Sequence, residues 1–220
     1  MVKTAILIDG GFYRQRAYNI FGVKTGKERA DELENYCKSH LKDKHEQHEL
    51  YRIFYYDCPP MSKKLYHPFL DAQIDFSLSD TYSWMNEFIS ELTHKRKFCL
   101  RMGKLAEEQA HYNIREGITR KLCRGTLTLA DLSESDFKLE VSQKGVDMKI
   151  GIDIASLAYK KQVDQIILIS GDSDFVPAAK LARREGIDFI LDPMRSNIKP
   201  DLFEHIDGIR TRTPSFNNPT

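Results

Sequence analysis

The sequence predicts an α/β protein, a three-layer α/β/α sandwich around a mainly parallel sheet, and three observations carry that expectation. Residues 4–8 and 165–170 are continuous runs of β-branched residues and Leu, the pattern of strands buried on both faces rather than one. Each run gives way at once to Asp and Gly, a sharp exit from a strand. Strand-like and helix-like segments then alternate along the chain, which places helices on both faces of one sheet.

Taken in order, 4–8 opens as a buried strand. Residues 28–44 carry a helical pattern, and 50–56 reads as a second strand. The segment 58–80, opening with Pro59-Pro60, breaks the rhythm and reads as an irregular excursion. Trp84, Phe88 and Leu92 are spaced to share one buried face, so 81–95 is a helix whose stripe belongs to the core rather than to a stacking platform. A third strand follows at 98–102. Residues 105–141 form a mixed stretch in which 118–129 is expected to make a hairpin around Arg124-Gly125. Residues 148–161 are helical. The run 165–170, the helix-like 175–185, a Gly186 turn and the strand 187–191 make a strand–helix–strand unit, whose crossover should be right-handed.

At 220 residues, 41% hydrophobic and 30% charged, the chain can bury one good core. The expectation is a single unit over 1–212, with insertions near 58–80 and 105–141 and a flexible tail at 213–220 rich in Pro, Asn and Ser. Lys and Arg number 33 against 32 Asp and Glu, so any polyanionic partner must meet a local basic patch rather than a global field. Cys37, Cys58, Cys99 and Cys123 form no CxxC pair, and no basic-then-apolar leader precedes Ile6, which points to the reducing cytoplasm. The apolar runs are far too short to span a bilayer.

The placement of the aspartates carries the chemistry. In a parallel α/β sheet ligands bind beyond the carboxyl ends of the strands, where Asp9 and Asp172 both fall. Ser173 or Asp174 is expected to cap the following helix, with Pro177 in its first turn, leaving Asp172 free. Asp147 shares a helical stripe with Ile150, Gly151 and Ile154 and so leans toward the sheet edge. Asp153 lies round the helix beside Lys149, where an i, i−4 ion pair is the simplest reading. Carboxylates gathered within about 4 Å repel by roughly 4 kcal/mol per pair at an effective dielectric near 20, so such a cluster binds protons or cations. Oxygen-only ligation selects Mg²⁺ or Mn²⁺, the ions of nuclease and phosphatase chemistry.

Three blocks, Ala5-Ile6-Leu7-Ile8-Asp9-Gly10-Gly11-Phe12, Lys144-Gly145-Val146-Asp147 with Asp153 following, and Ser170-Gly171-Asp172-Ser173-Asp174-Phe175-Val176-Pro177, together resemble the NYN domain family in its LabA-like branch, within the PIN-like nucleases. The resemblance extends from about residue 2 to 192. It implies a PIN-like, Rossmann-like fold, a Mg²⁺ or Mn²⁺ site and cleavage of RNA phosphodiesters. It maps catalytic acids onto Asp9, Asp147, Asp172 and Asp174, the first three as metal ligands, with Asp153 at a further acidic position. Many NYN proteins carry an Asn soon after the first Asp, where this chain has Gly10-Gly11-Phe12-Tyr13-Arg14.

Candidate RNA contacts are Lys144, Arg14 and the basic set Arg120, Lys121 and Arg124, with Arg115 and Tyr112 nearby. RNA is the partner implied, with a protein partner or a second copy of the chain left open. The competing reading is a non-catalytic regulatory module that binds RNA or protein on the same fold. Other chemistries are rejected. Gly22–Lys27 is one residue short of a P-loop, Gly11 stands where a haloacid-dehalogenase phosphatase needs its second Asp, and His45-Glu46-Gln47-His48 lacks HExxH spacing.

Overall fold

The computed structural model describes residues 1–42 and 46–212. In chain order its elements are β1 (Val2–Asp9), α1 (Gly10–Phe21), α2 (Gly26–His40), β2 (His48–Asp57), β3 (Lys64–His67), β4 (Ala72–Asp75), α3 (Asp80–Thr93), β5 (Phe98–Met102) and β6 (Lys104–Leu105). There follow β7 (His111–Ile114), α4 (Glu116–Cys123), β8 (Phe137–Glu140), β9 (Gln143–Lys144), α5 (Val146–Tyr159), β10 (Gln165–Ile169), α6 (Val176–Arg184), β11 (Asp188–Asp192), α7 (Pro200–Phe203) and β12 (Gly208–Ile209).

The central sheet has six strands in the order β12-β11-β10-β1-β2-β5, all paired parallel. Its strands read as unbroken apolar runs because both faces are covered. Ala5 and Leu7 point into the core under α5 and α6, with Ile150, Ile154, Ala179 and Ala182. Ile6 and Ile8 point the other way, onto Tyr13 of α1, Leu33 of α2 and Phe88 of α3. Successive residues of a strand face opposite sides, so a strand between two helical layers has no face left for polar residues. Phe88 and Leu92 are buried as the spacing predicts, and Trp84 stacks on Phe88 from the core margin. Among the described residues no helix is long and apolar enough to cross a membrane.

The structure corrects several expectations. Residues 10–21 form α1, which the Gly10-Gly11 pair concealed because glycine is a poor helix former. The helix expected over 28–44 is α2, which ends at His40; its last two residues, like the tail at 213–220, lie outside the described residues. The excursion at 58–80 contains the antiparallel hairpin β3–β4, closed by Lys64 opposite Asp75. Residues 118–129 do not form a hairpin. Arg120 and Lys121 lie in the last turn of α4, and Gly125 ends the helix with φ of 69°, its N–H bonding to Leu122 O at 3.0 Å while Thr126 N–H reaches Lys121 O at 3.1 Å. Basic residues followed by a left-handed glycine form a helix stop, which resembles a turn signal in sequence. The antiparallel pair in this stretch is instead β7–β8, with Tyr112 opposite Leu139.

Candidate active site

β1 is the strand at which the chain reverses direction across the sheet, with β2 on one side and β10 on the other. The exits of β1 and β10 therefore diverge and leave a crevice between their carboxyl ends. Ile8 pairs with Ile169, so Asp9 and the Ser170-Gly171-Asp172 turn lie side by side at that crevice. Asp9 caps α1, its Oδ1 accepting from Phe12 N–H at 3.1 Å, and its Oδ2 accepts the Ser170 hydroxyl at 3.3 Å. Ser170 Oγ in turn accepts from Asp172 N–H at 3.2 Å, which ties the two turns together. The expected cap at 173–174 is corrected: Asp172 itself caps the 3₁₀ turn Ser173–Phe175, its Oδ1 accepting from Asp174 N–H at 3.0 Å. One oxygen of Asp172 holds the turn and the other is uncommitted. The Phe12 ring fills the space beside Gly171, where a Cβ would stand 2.7 Å from Cε2, so Phe12 takes a packing role.

Seven acids stand along this edge or close to it, and the structure sorts them. Asp57, at the end of β2, is buried and fully engaged by Arg14 Nε at 2.9 Å and Nη2 at 3.1 Å, by the Tyr55 hydroxyl at 2.7 Å and by Cys58 N–H at 2.8 Å. Asp192, at the end of β11, is buried against the Tyr36 hydroxyl, His40 Nε2 at 2.9 Å, Met194 N–H at 2.8 Å and the Thr211 hydroxyl at 3.0 Å. Asp153 accepts from Arg101 Nε at 3.1 Å and from the Tyr56 hydroxyl at 2.9 Å. Its expected partner Lys149 donates instead to Met102 O at 2.6 Å, because β5 runs close enough beside α5 to offer a carbonyl. Asp9 and Asp172, like Asp147 and Asp174 nearby, make no ion pair with any described residue.

Asp147 stands in the first turn of α5, at the open end of the stripe that buries Ile150 and Ile154. Electrostatics link it to the crevice. The Asp9 carboxyl is raised above the ordinary carboxylate range chiefly by burial; the Phe12 amide opposes this, and the Asp147 charge adds to it. Asp147 is raised by desolvation of its inner side, then by the charges of Asp172 and Asp174. Asp9 thus feels the charge of Asp147, and Asp147 the charges of Asp172 and Asp174.

That set suits a hard divalent cation. The donors are oxygens only, their charge is uncompensated, and each ligand candidate keeps an oxygen that is not committed to a cap. Among the described residues no three His, Cys, Asp or Glu side chains stand close enough to enclose an ion by themselves. Mg²⁺ commonly sits on one or two carboxylates and keeps several waters, so an open carboxylate edge is a suitable seat for it.

The candidate RNA contacts divide. Lys144 lies on β9 opposite Lys104 of β6, both exposed and without a partner among the described residues. Arg14 is held by Asp57, with only 27% of its side chain exposed. Arg120 pairs with Glu116; Arg120 and Lys121 lie in α4, a helix that buries none of its residues, and Arg124 directly follows its last turn. The sequence reading missed the cationic wall beside Asp9 and Asp172. A cleft of about 430 Å³ runs from Asp9 and Asp172 past Gln15, Arg16, Ser196 and Lys199. Arg16 is fixed by Met194 O at 3.1 and 2.7 Å, and Lys199 Nζ donates to Ser173 Oγ at 3.1 Å. Their signal was available, since 193–199 follows β11 at the same sheet edge as Asp9.

The family model of the NYN domain matches residues 85–201, just over half of the chain, including Asp147, Asp172 and Asp174. A protein of unknown function from Vibrio parahaemolyticus RIMD 2210633, known from its crystal structure, superposes with a TM-score of 0.46 at 13% identity, over 96% of this chain and 92% of that one. No curated protein matches significantly. The chain therefore belongs to the NYN domain family, within the PIN-like nuclease superfamily, whose members generally use divalent metals.

Proposed function

We propose that this protein is a divalent-metal-dependent endoribonuclease of the LabA-like branch, with residues 1–212 acting as one unit and 58–80 and 105–141 inserted into it. One observation carries the reading. Of the acids at and near the carboxyl edge of the sheet, Asp57, Asp153 and Asp192 are engaged by internal donors, whereas Asp9 and Asp172 line the crevice, with Asp147 and Asp174 in electrostatic reach of them, and none of these four has an ion pair among the described residues. Unpaired clustered carboxylates destabilise a fold, and a site for cations is the use that accounts for their placement.

Of Asp9, Asp147 and Asp172, one or two would ligate Mg²⁺ or Mn²⁺ directly, with waters completing its shell. When bound, such an ion lowers the pKa of water and stabilises charge on a phosphoryl group. The remaining work falls to the chain. Ser170 and the Phe12 amide fix the Asp9 carboxylate in one orientation, and the Asp172 cap fixes the turn that carries Asp174. Lys199 and Arg16 provide cationic walls for the phosphates of a strand entering the cleft, with Lys144 on β9 as a further cation. Retention of metal binding and RNA cleavage in Asp9→Asn and Asp172→Asn would defeat this reading, whereas their joint loss in both variants is the expected result. The open ligand set also favours a second reading, a module that binds RNA without cutting it. Metal-independent RNA binding by both variants, with no turnover by the wild type, would decide for it.

A further inference from the structure

Beside the crevice lies a second cleft, of about 370 Å³, which the nuclease chemistry does not use. Its walls are apolar and come from both inserted segments: Pro60 and Met61 from the first, Leu105 and Leu139 from the second, with Tyr82 of α3 between them. Two of its polar groups, Arg14 and Gln143, come from elements next to the acids. Arg14 reaches it with a guanidinium already oriented by Asp57, and Gln143 reaches it with a side-chain amide that bonds to no described residue. Gly11 stands between Asp9 of the acidic crevice and Gln143 of this cleft. The point where a Gly11 Cβ would stand is 3.6 Å from Asp9 Oδ1 and 4.0 Å from Gln143 Oε1.

An apolar slot with an aromatic wall, a fixed cation and an unpaired amide at its mouth matches the chemistry of a nucleobase, which offers flat apolar faces and a polar edge. A purely apolar peptide would leave the Gln143 amide without a partner and the Arg14 guanidinium facing apolar groups. Resting on the ribonuclease reading, we infer that this cleft is a base-binding subsite. It would take the base of a nucleotide flanking the cleaved phosphate, with Gln143 and Arg14 reading the base edge and the two insertions supplying the walls. The insertions then give the nuclease its base preference.

The test uses the full chain with metal chelated, titrated with the four nucleoside 5′-monophosphates by calorimetry, and the same chain with Mn²⁺ for mapping cut sites on mixed-sequence RNA. Leu139→Trp fills the cleft from the half-exposed β8, and Gln143→Ala removes an exposed amide, so neither change touches the core. The wild type should bind one nucleotide at least tenfold better than the weakest of the four. Leu139→Trp should weaken that binding at least tenfold, and Gln143→Ala should level both the binding series and the base preference at the cut. Asp172→Asn should leave nucleotide binding unchanged while abolishing cleavage. Wild-type binding and wild-type cut preference in Leu139→Trp and Gln143→Ala would overturn the subsite and leave the nuclease standing. Nucleotide binding that Leu139→Trp abolishes, in a wild type that cuts no RNA, would overturn the nuclease and leave the cleft a nucleotide site.

Discussion

Arg14 grips Asp57 through one edge of its guanidinium, Nε at 2.9 Å and Nη2 at 3.1 Å, at a carboxylate that is itself fully buried. Asp57 also accepts the Tyr55 hydroxyl and the Cys58 amide, so one side chain satisfies donors from three residues. Removing one partner of a buried pair leaves the other uncompensated. Asp57→Ala should therefore lower unfolding free energy by about 3–5 kcal/mol, read as a shifted urea midpoint at constant slope.

Asp9 should trade stability for function. Its carboxyl is raised by burial, so between the unfolded and folded pKa values the native state binds more protons, and stability falls as pH rises through that window. Above the window the charged form imposes its full penalty. Asp9→Asn keeps the α1 cap and removes the charge, so the metal-free variant should melt higher than wild type at pH 7 and at a similar temperature near pH 3. Its RNA cleavage should fall by at least about 100-fold, on the scale of losses at catalytic metal sites.

Asp147 is raised partly by Asp172 and Asp174, which makes its titration a gauge of the cluster. Carboxyl NMR of the metal-free protein should show the Asp147 midpoint moving down in Asp172→Asn. An unchanged midpoint would mean that the two side chains do not share a crevice. In the wild type, Mn²⁺ affinity should begin to fall on acidification at a higher pH than for an ordinary carboxylate site.

Asp153 already has Arg101 and the Tyr56 hydroxyl as partners, so its charge is not available to the crevice. Asp153→Asn should keep cleavage within about tenfold of wild type, the lower range for residues that only support ligands, while Asp172→Asn loses it. Equal losses in the two variants would add Asp153 to the ligand set.

Gly171 has no room for a side chain, since an added Cβ would meet the Phe12 ring at 2.7 Å. Gly171→Ala should cost about 1–3 kcal/mol and displace the turn that carries Asp172. Combined with Phe12→Ala it should be less damaging than the sum of the single changes, by roughly 0.5–3 kcal/mol in a double-mutant cycle.

The sheet was legible because its physics is local. Residues 98–102 were placed to the residue as β5, and the exits at Asp9 and Asp172 were recognised as strand ends, since double burial leaves an unbroken apolar run. α1 was hidden by its two glycines, and α4 was mistaken for a hairpin because Gly125 serves a helix stop as readily as a turn. The site was legible only in outline. The four open acids stand out by position, yet the role of Asp153 depends on Arg101, 52 residues earlier in the chain, and periodicity along α5 alone carries no trace of it.

By itself, then, the sequence determined the α/β class, the doubly buried strands and the motifs that assign the chain to its family, all of which follow from residue type and short-range spacing. Only the tertiary structure decided which acids are free. Asp57 and Asp9 are the same residue type at the ends of adjacent strands, and what separates them is the arrival of Arg14 at one and not at the other. A carboxylate acquires its chemistry from the charges around it, and those are set by packing across the sheet rather than along the chain.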